Sequence, residues 1–172
     1  MTDRGEVQVV PYSPEWPRRF EAERAVLATV FAPGEFRIEH IGSTAVPGLS
    51  AKPIVDVLVG AATLADIEAR VPAMAAQGYQ YVPELEAVLP QRRFLAKPKV
   101  RPRQFHVHAV ELGSRFWAEH LQFRDALRAD PDLAAEYAAL KLKLAARFGD
   151  DRKGYTDAKD PFIRSVLRRA PA

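Results

Sequence analysis

Apolar positions recur at helical spacing in some stretches of this chain and alternate or run together in others. Trp16, Phe20, Leu27 and Phe31 fall on one helical stripe. Ser13-Pro14-Glu15 reads as the start of that helix, with Ser13 as cap and Pro14 in the first turn, and Pro33-Gly34 as its stop. Phe36 to Ile41 alternates apolar and polar residues, as a half-buried strand does. Ile54 to Val59 is almost wholly apolar and reads as a central strand, although Asp56 sits inside it. Val7 to Val10, Tyr79 to Val82 and Arg93 to Leu95 are shorter strand candidates, Leu85 to Leu89 has no clear pattern, and Phe105 to Val110 is a stronger strand. Leu64 to Gln77 predicts a helix kinked at Pro72 and stopped by Gly78.

From Gly113-Ser114 onward the pattern is helical throughout. Phe116, His120, Phe123 and Leu127 form one stripe, which makes His120 a packed helix residue. Leu133, Tyr137, Leu140, Leu144 and Phe148 form the next, with Asp130 as cap, Pro131 at the first position and Gly149 as the close. A basic helix from Lys153 to Arg169 follows, with a break expected at Pro161. Strands mixed with helices and then a helical tail predict an α/β or α+β domain with a helical C-terminal subdomain.

At 172 residues the chain has the size of one domain. It contains no cysteine, which excludes disulfides, a thiol nucleophile, iron–sulfur clusters and cysteine zinc sites. Met1 to Gly5 is polar and is not read as a signal peptide. No apolar run approaches the roughly 18 residues of a membrane span. The expected location is the cytoplasm, with no membrane partner.

The formal charge is +3, unevenly spread. Residues 91–103 carry Arg92, Arg93, Lys97, Lys99, Arg101 and Arg103 with no acid, leaving 19 cations against 22 acids elsewhere. Such a strip suggests a phosphate partner, whether a nucleotide, another phosphorylated small molecule or RNA. A solvated hairpin has the same composition.

Three features carry candidate chemistry. A carboxylate inside an apolar strand is costly unless paired, hydrogen-bonded or metal-bound, which singles out Asp56. Gly42-Ser43 at a strand end can aim backbone N–H groups and a hydroxyl at an anion, or be a simple turn. His106 and His108 alternate on one strand, so both imidazoles share a face. They either share a metal or hydrogen-bond within the sheet. Glu39 or His40 is a candidate for the same pocket, and Arg124-Asp125 reads as an ion pair on the helical part.

Twelve residues separate Ser43 from Asp56. The order strand, Gly-Ser, connection, strand with central Asp resembles the signature of the polymerase-β-like nucleotidyltransferase superfamily. Over Ile38 to Val59 (IEHIGSTAVPGLSAKPIVDVLV) the chain is similar to the GrpB-like family, which has that fold. YSPEW at Tyr12 to Trp16, the His-x-His strand, HLQFRDALRADP, EYAALKLKLA, Tyr155 and Lys159 agree in outline, so the resemblance spans roughly residues 7 to 169. It implies an α+β fold, a nucleotidyltransferase-like mixed β-sheet flanked by helices with a helical C-terminal subdomain, as one GrpB-like domain over 1–172, sheet-bearing over about 6–112 and helical over about 113–170.

The resemblance further implies metal-assisted nucleotidyl or phosphoryl transfer to an acceptor it does not name. In that reading Asp56 is catalytic and holds a divalent metal (Mg, Mn or Zn) with His106 and His108 as co-ligands. Gly42, Ser43, Lys52, Arg92, Arg93, Lys141 and Lys159 bind phosphate or nucleotide. The chain departs from the superfamily signature at Leu58, where a second carboxylate belongs. Leucine ligates no metal, so the alternative is a nucleotide- or RNA-binding module without catalysis.

Overall fold

The structure, a computed structural model, describes residues 7–169. Met1 to Gly5, not read as a signal peptide, therefore lies outside the described residues, as do residues 6 and 170 of the expected domain bounds.

Helix α1 (Glu15–Phe31) precedes strand β1 (Phe36–Ile41), and a single 3-10 turn (Ser43–Ala45) leads towards β2 (Val55–Ala61). Two short helices follow, α2 (Leu64–Glu68) and α3 (Val71–Ala76), then β3 (Gln80–Tyr81), β4 (Arg92–Lys97) and β5 (Phe105–Glu111). Helices α4 (Arg115–Ala129), α5 (Pro131–Phe148) and α6 (Arg152–Arg169) complete the chain. The strands form one sheet in the order β1-β2-β5-β4-β3. β2 and β5 are parallel and every other pair is antiparallel, so the sheet is mixed.

Local chemistry explains most element ends. Ser13 accepts a hydrogen bond from the Glu15 N–H, but the cap position itself falls to Pro14. Ser114 and Asp130 cap α4 and α5 as their positions predict. The helix expected over Leu64–Gln77 is two helices. A proline ring clashes with the carbonyl four residues earlier, and for Pro72 that residue is Glu68, where α2 ends. Pro161 leaves α6 unbroken, with Tyr155 and Val166 buried on either side of it. The strand expected at Val7–Val10 reduces to one bridge, Val10 to Ala51. Val7 instead packs with Leu144 and Tyr155, so this segment crosses the helical part.

The two sheet faces differ in kind. One packs Val55, Val57, Val59, Val107 and Ala109 against α1 through α3 in a continuous apolar core with Leu27, Ile67 and Met74. The other alternates along its strands from wet to dry. Leu58, Val110 and Ile41 pack under Trp117 of α4, while Asp56, His106 and His108 lie beyond that cover. Gly60 marks how close α4 sits: a Cβ there would fall 2.4 Å from Leu112 and 2.7 Å from the Trp117 ring.

This packing yields the first prediction. Leu58 is fully buried, so Leu58→Ala should cost about 2–5 kcal/mol. Leu58→Asp, which restores the superfamily's carboxylate spacing, should cost more, because an unpaired charge would enter a dry cluster. Urea denaturation measures both; an Asp variant as stable as the parent would show that the site is not sealed.

Candidate active site

The wet half of the α4-side face opens into a cleft of about 1270 Å³ between the sheet, α4, α5 and α6. Of the residues singled out from the sequence, Gly42, Ser43, Lys52, Asp56, Arg92, His106, His108, Lys141 and Lys159 all line it. Arg93 does not.

Asp56 is its centre. The β2–β5 register sets Asp56 beside His106 and Leu58 beside His108. The His108 Nε2 lies 3.2 Å from Asp56 Oδ1, and the His106 Nδ1 lies 3.5 Å from the same oxygen. Burial alone would raise the Asp56 carboxyl; its hydrogen bonds with the two imidazoles outweigh that and hold it far below the usual carboxylate range.

The hydrogen-bond chemistry fixes a tautomer at His108. Its Nδ1 is 3.3 Å from Arg92 Nη1. A guanidinium only donates, so Nδ1 accepts and the neutral ring carries its proton on Nε2, facing Asp56. Burial pushes His108 down to about 4, with Asp56 opposing and Arg92 adding to the shift. At neutral pH the ring is therefore uncharged.

Gly42 makes room for this arrangement. Its φ of +72° is one that L side chains rarely adopt, and a Cβ there would lie 2.8 Å from Asp56 Oδ2. The turn it starts is braced from two sides. His40 Nε2 is hydrogen-bonded to the Thr44 hydroxyl at 2.9 Å, and its ring stacks on Phe20 at 4.6 Å. Arg128 of α4 donates to the Ala45 carbonyl at 2.9 Å. Arg124 pairs with Asp125, as its sequence position suggests, and also reaches Glu39 at 2.7 Å and the His40 carbonyl at 3.1 Å. Neither Glu39 nor His40 lines the cleft, which corrects their candidacy: one is held by Arg124 and the other points into the α1 side.

At one end of the cleft three lysines from separate segments come together. Lys52 and Lys159 place their ammonium groups 5.4 and 4.6 Å from the Tyr155 ring, and Lys141 lies 5.0 Å from the Tyr137 ring. Lys141 also donates to the Ser50 carbonyl. Burial, then the other lysines, pushes Lys141 down to about 7; burial and Lys52 push Lys159 down to about 8. Tyr137 and Ser43 of the Gly-Ser turn both line this cleft.

The basic strip does not form one patch. Arg92 faces the cleft. Arg93, its neighbour on the strand, points to the opposite face and pairs with Glu68 at 2.7 Å and Glu86 at 3.5 Å, which corrects its assignment to phosphate binding. Lys97 pairs with buried Glu23 at 2.9 Å, and Tyr79 donates to the same carboxylate. Arg103 turns back to the carbonyls of Ala96 and Pro98. Lys99 and Arg101 are exposed in the hairpin.

Sequence reasoning passed over the aromatic wall opposite. Phe116 and His120 stack at 3.8 Å, and with Phe123 and Tyr137 they line the cleft. His120 is thus both packed, as its stripe predicts, and part of the cleft wall. The helical stripes signalled burial alone, because a cleft wall and a core give the same spacing.

A mixed five-stranded sheet, a strand-end Gly-Ser turn against an in-strand aspartate, and a helical C-terminal part define an α+β protein. Comparison with known proteins takes this one step further. The chain belongs to the GrpB family, whose model, described as GrpB protein, matches residues 6–169. It is 34% identical to the glutamate-rich protein GrpB of Alkalihalophilus pseudofirmus, covering 96% of each chain. It is 40% identical to a UPF0157 protein of Pseudomonas aeruginosa, over 99% of this chain and 70% of that one. The crystal structure of conserved protein GrpB from Enterococcus faecalis superposes with a TM-score of 0.84 at 34% identity, over 94% of this chain and 95% of that one. No helix among the described residues is long and apolar enough to cross a membrane.

Two predictions follow from the geometry around Asp56. Gly42→Ala combines a disfavoured φ with a close contact on the carboxylate and should cost about 1–3 kcal/mol, read as a lowered urea midpoint with the fold retained. The second concerns pH. His40 and His108 are both depressed from 6.5 to about 4, chiefly by burial. The unfolded chain then binds protons that the folded chain excludes, so stability is lost as pH falls from about 6.5 towards 4. Urea midpoints across that range should decline for the parent and decline less steeply for His108→Gln; a flat profile would contradict neutral buried imidazoles.

Proposed function

We propose that this cleft binds a nucleoside polyphosphate, with the phosphates at the lysine end beside Gly42 and Ser43. One observation carries the reading: Lys52, Lys141 and Lys159 are gathered from three distant segments into one corner of the cleft, with Lys141 buried. Like charges crowd there at a cost, and among the described residues neither Lys141 nor Lys159 has a carboxylate within ion-pair distance. A polyanion offsets that cost.

Catalysis is a separate matter. Two-metal transfer needs a pair of carboxylates, and the second position is Leu58, sealed under α4. Among the described residues no group of three or more His, Asp or Glu is arranged to hold a metal ion. The Nε2 proton of His108 faces Asp56, so the constellation as it stands is a hydrogen-bonded one. The convergence of His106 and His108 on Asp56 favours a second reading, metal-assisted nucleotidyl or phosphoryl transfer. For that, the proton on His108 Nε2 would have to move to Nδ1, at the expense of the Arg92 contact, leaving Nε2 free to ligate a divalent ion.

Calorimetric titration with ATP, alone and with Mg, Mn or Zn, tests both readings. ATP alone should bind at submillimolar concentration, about 10-fold or more weaker in Lys159→Met. Because Lys141 and Lys159 lose charge as pH rises through about 7 and 8, binding should weaken between pH 6.5 and 9. No heat at millimolar ATP, or binding indifferent to Lys159→Met, would overturn the assignment. Affinity that rises with Mn or Zn and loses that gain in His106→Ala would support transfer; indifference to metal would favour the binding module.

A further inference from the structure

Arg92 occupies a different part of the cleft from the lysines and is built differently. The β4–β5 register sets it opposite Val110, two residues from Phe94 opposite His108, so its side chain leaves the sheet on the Asp56 face. Its guanidinium lies 5.2 Å from the Phe94 ring and 6.0 Å from the Phe116 ring. One nitrogen donates to His108 Nδ1 at 3.3 Å. Its Nε is buried and has no hydrogen-bond partner, and no carboxylate of the described residues pairs with it. Arg93 and Lys97 on the same strand do have acidic partners, Glu68 and Glu23. A guanidinium is charged at any working pH, so a partly buried one without a counter-charge is costly. Asp56 is already engaged by the two imidazoles, and His108 stands between it and Arg92.

We propose that Arg92 is the anchor of a second anion subsite, which takes the phosphate of a phosphorylated acceptor or co-ligand. The proposal rests on the reading that the lysine end takes the polyphosphate. Asp56 then stands between two anion-binding regions, with Lys159 acting on it from one side and His108 joining it to Arg92 on the other. The chemistry at Arg92 suits a phosphate ester. A planar guanidinium fork can bond two phosphate oxygens at once. Phe116, which lines the cleft beside the fork, offers an apolar face to an aromatic or nucleoside group next to the phosphate, while Phe94 packs against the two imidazoles. The uncharged His108 adds no repulsion to Arg92 and, by accepting from Nη1, fixes which way the fork faces. Arg92 thus binds the anion and positions His108 together.

Two probes separate the subsites in the full chain. Tripolyphosphate fits the lysine end, and phenyl phosphate fits Arg92 with its aromatic flank. Calorimetry should show phenyl phosphate binding to protein already saturated with tripolyphosphate. Arg92→Met should weaken phenyl phosphate about 10-fold or more and leave tripolyphosphate within about two-fold. Lys159→Met should do the reverse. Arg92→Lys keeps the charge and loses the fork, so it should lie between parent and Met; it also serves if Arg92→Met does not fold, as judged by circular dichroism. Competition between the two probes for one site would overturn the proposal, and so would phenyl phosphate binding that Arg92 variants leave unchanged. If tripolyphosphate fails to bind while phenyl phosphate binds through Arg92, the second subsite stands and the polyphosphate reading falls.

Discussion

The contact between Asp56 and Gly42 is the constraint around which the rest is arranged. An aspartate in the middle of a parallel strand pair forfeits β-propensity and hydration together. Here it recovers both losses locally: two imidazoles from the neighbouring strand reach one carboxylate oxygen, and the other oxygen lies against a glycine with no Cβ. That glycine ends β1 and starts the turn that presents Ser43. The aspartate thereby sets the turn's conformation, and the turn's position in turn depends on braces from α1 through His40 and from α4 through Arg124 and Arg128. Removing the carboxylate would leave two histidines and an arginine with no anion among them.

The same sheet face also shows how short the step is from a wet pocket to a dry cluster. Side chains repeat every two residues on a strand, so Asp56, Leu58 and Gly60 form one row. Moving along that row, the surroundings pass from cleft, to apolar cluster, to direct contact with Trp117. A carboxylate at Leu58 would sit dry and unpaired under α4. Leu58 and the close seat of α4 are consequently one structural decision. The cost of reversing it is set by packing as well as by chemistry.

Much of the fold was legible because its signals are local. β1 is bounded as its alternation predicts, and the caps at Ser114 and Asp130 act as their residue types demand. The misreadings arose where a local signal met a tertiary one. Val7–Val10 has the composition of a strand, yet Val7 finds its apolar partners on α5 and α6. Pro161 carries the signal of a break, yet the helix passes through it. In the site, the sequence located nine of the residues that line the cleft and misplaced Arg93, because adjacent residues on a strand point to opposite faces. A basic run read without the strand register cannot say which of its cations share a side. The aromatic wall was missed for a related reason: a helix stripe reports that residues are covered and is silent on whether protein or ligand covers them.

The distribution of charge can now be assigned to particular partners. The dense run at 91–103 is largely spent within the protein: Glu68 and Glu86 take Arg93, Glu23 takes Lys97, and backbone carbonyls take Arg103. The positive end of the cleft comes from Lys52, Lys141 and Lys159, which no window of sequence brings together and which add nothing visible to a charge plot. Folding has moved the electrostatic centre of the molecule away from its most basic segment, and Arg92 is the member of that segment that faces the cleft. Cations gathered from distant segments must be desolvated and held against mutual repulsion as the chain folds. That cost accompanies every folded molecule, whereas a surface strip of the same charge would cost little. An anion that enters the corner relieves the repulsion, so ligand affinity there draws on strain that the fold has already stored.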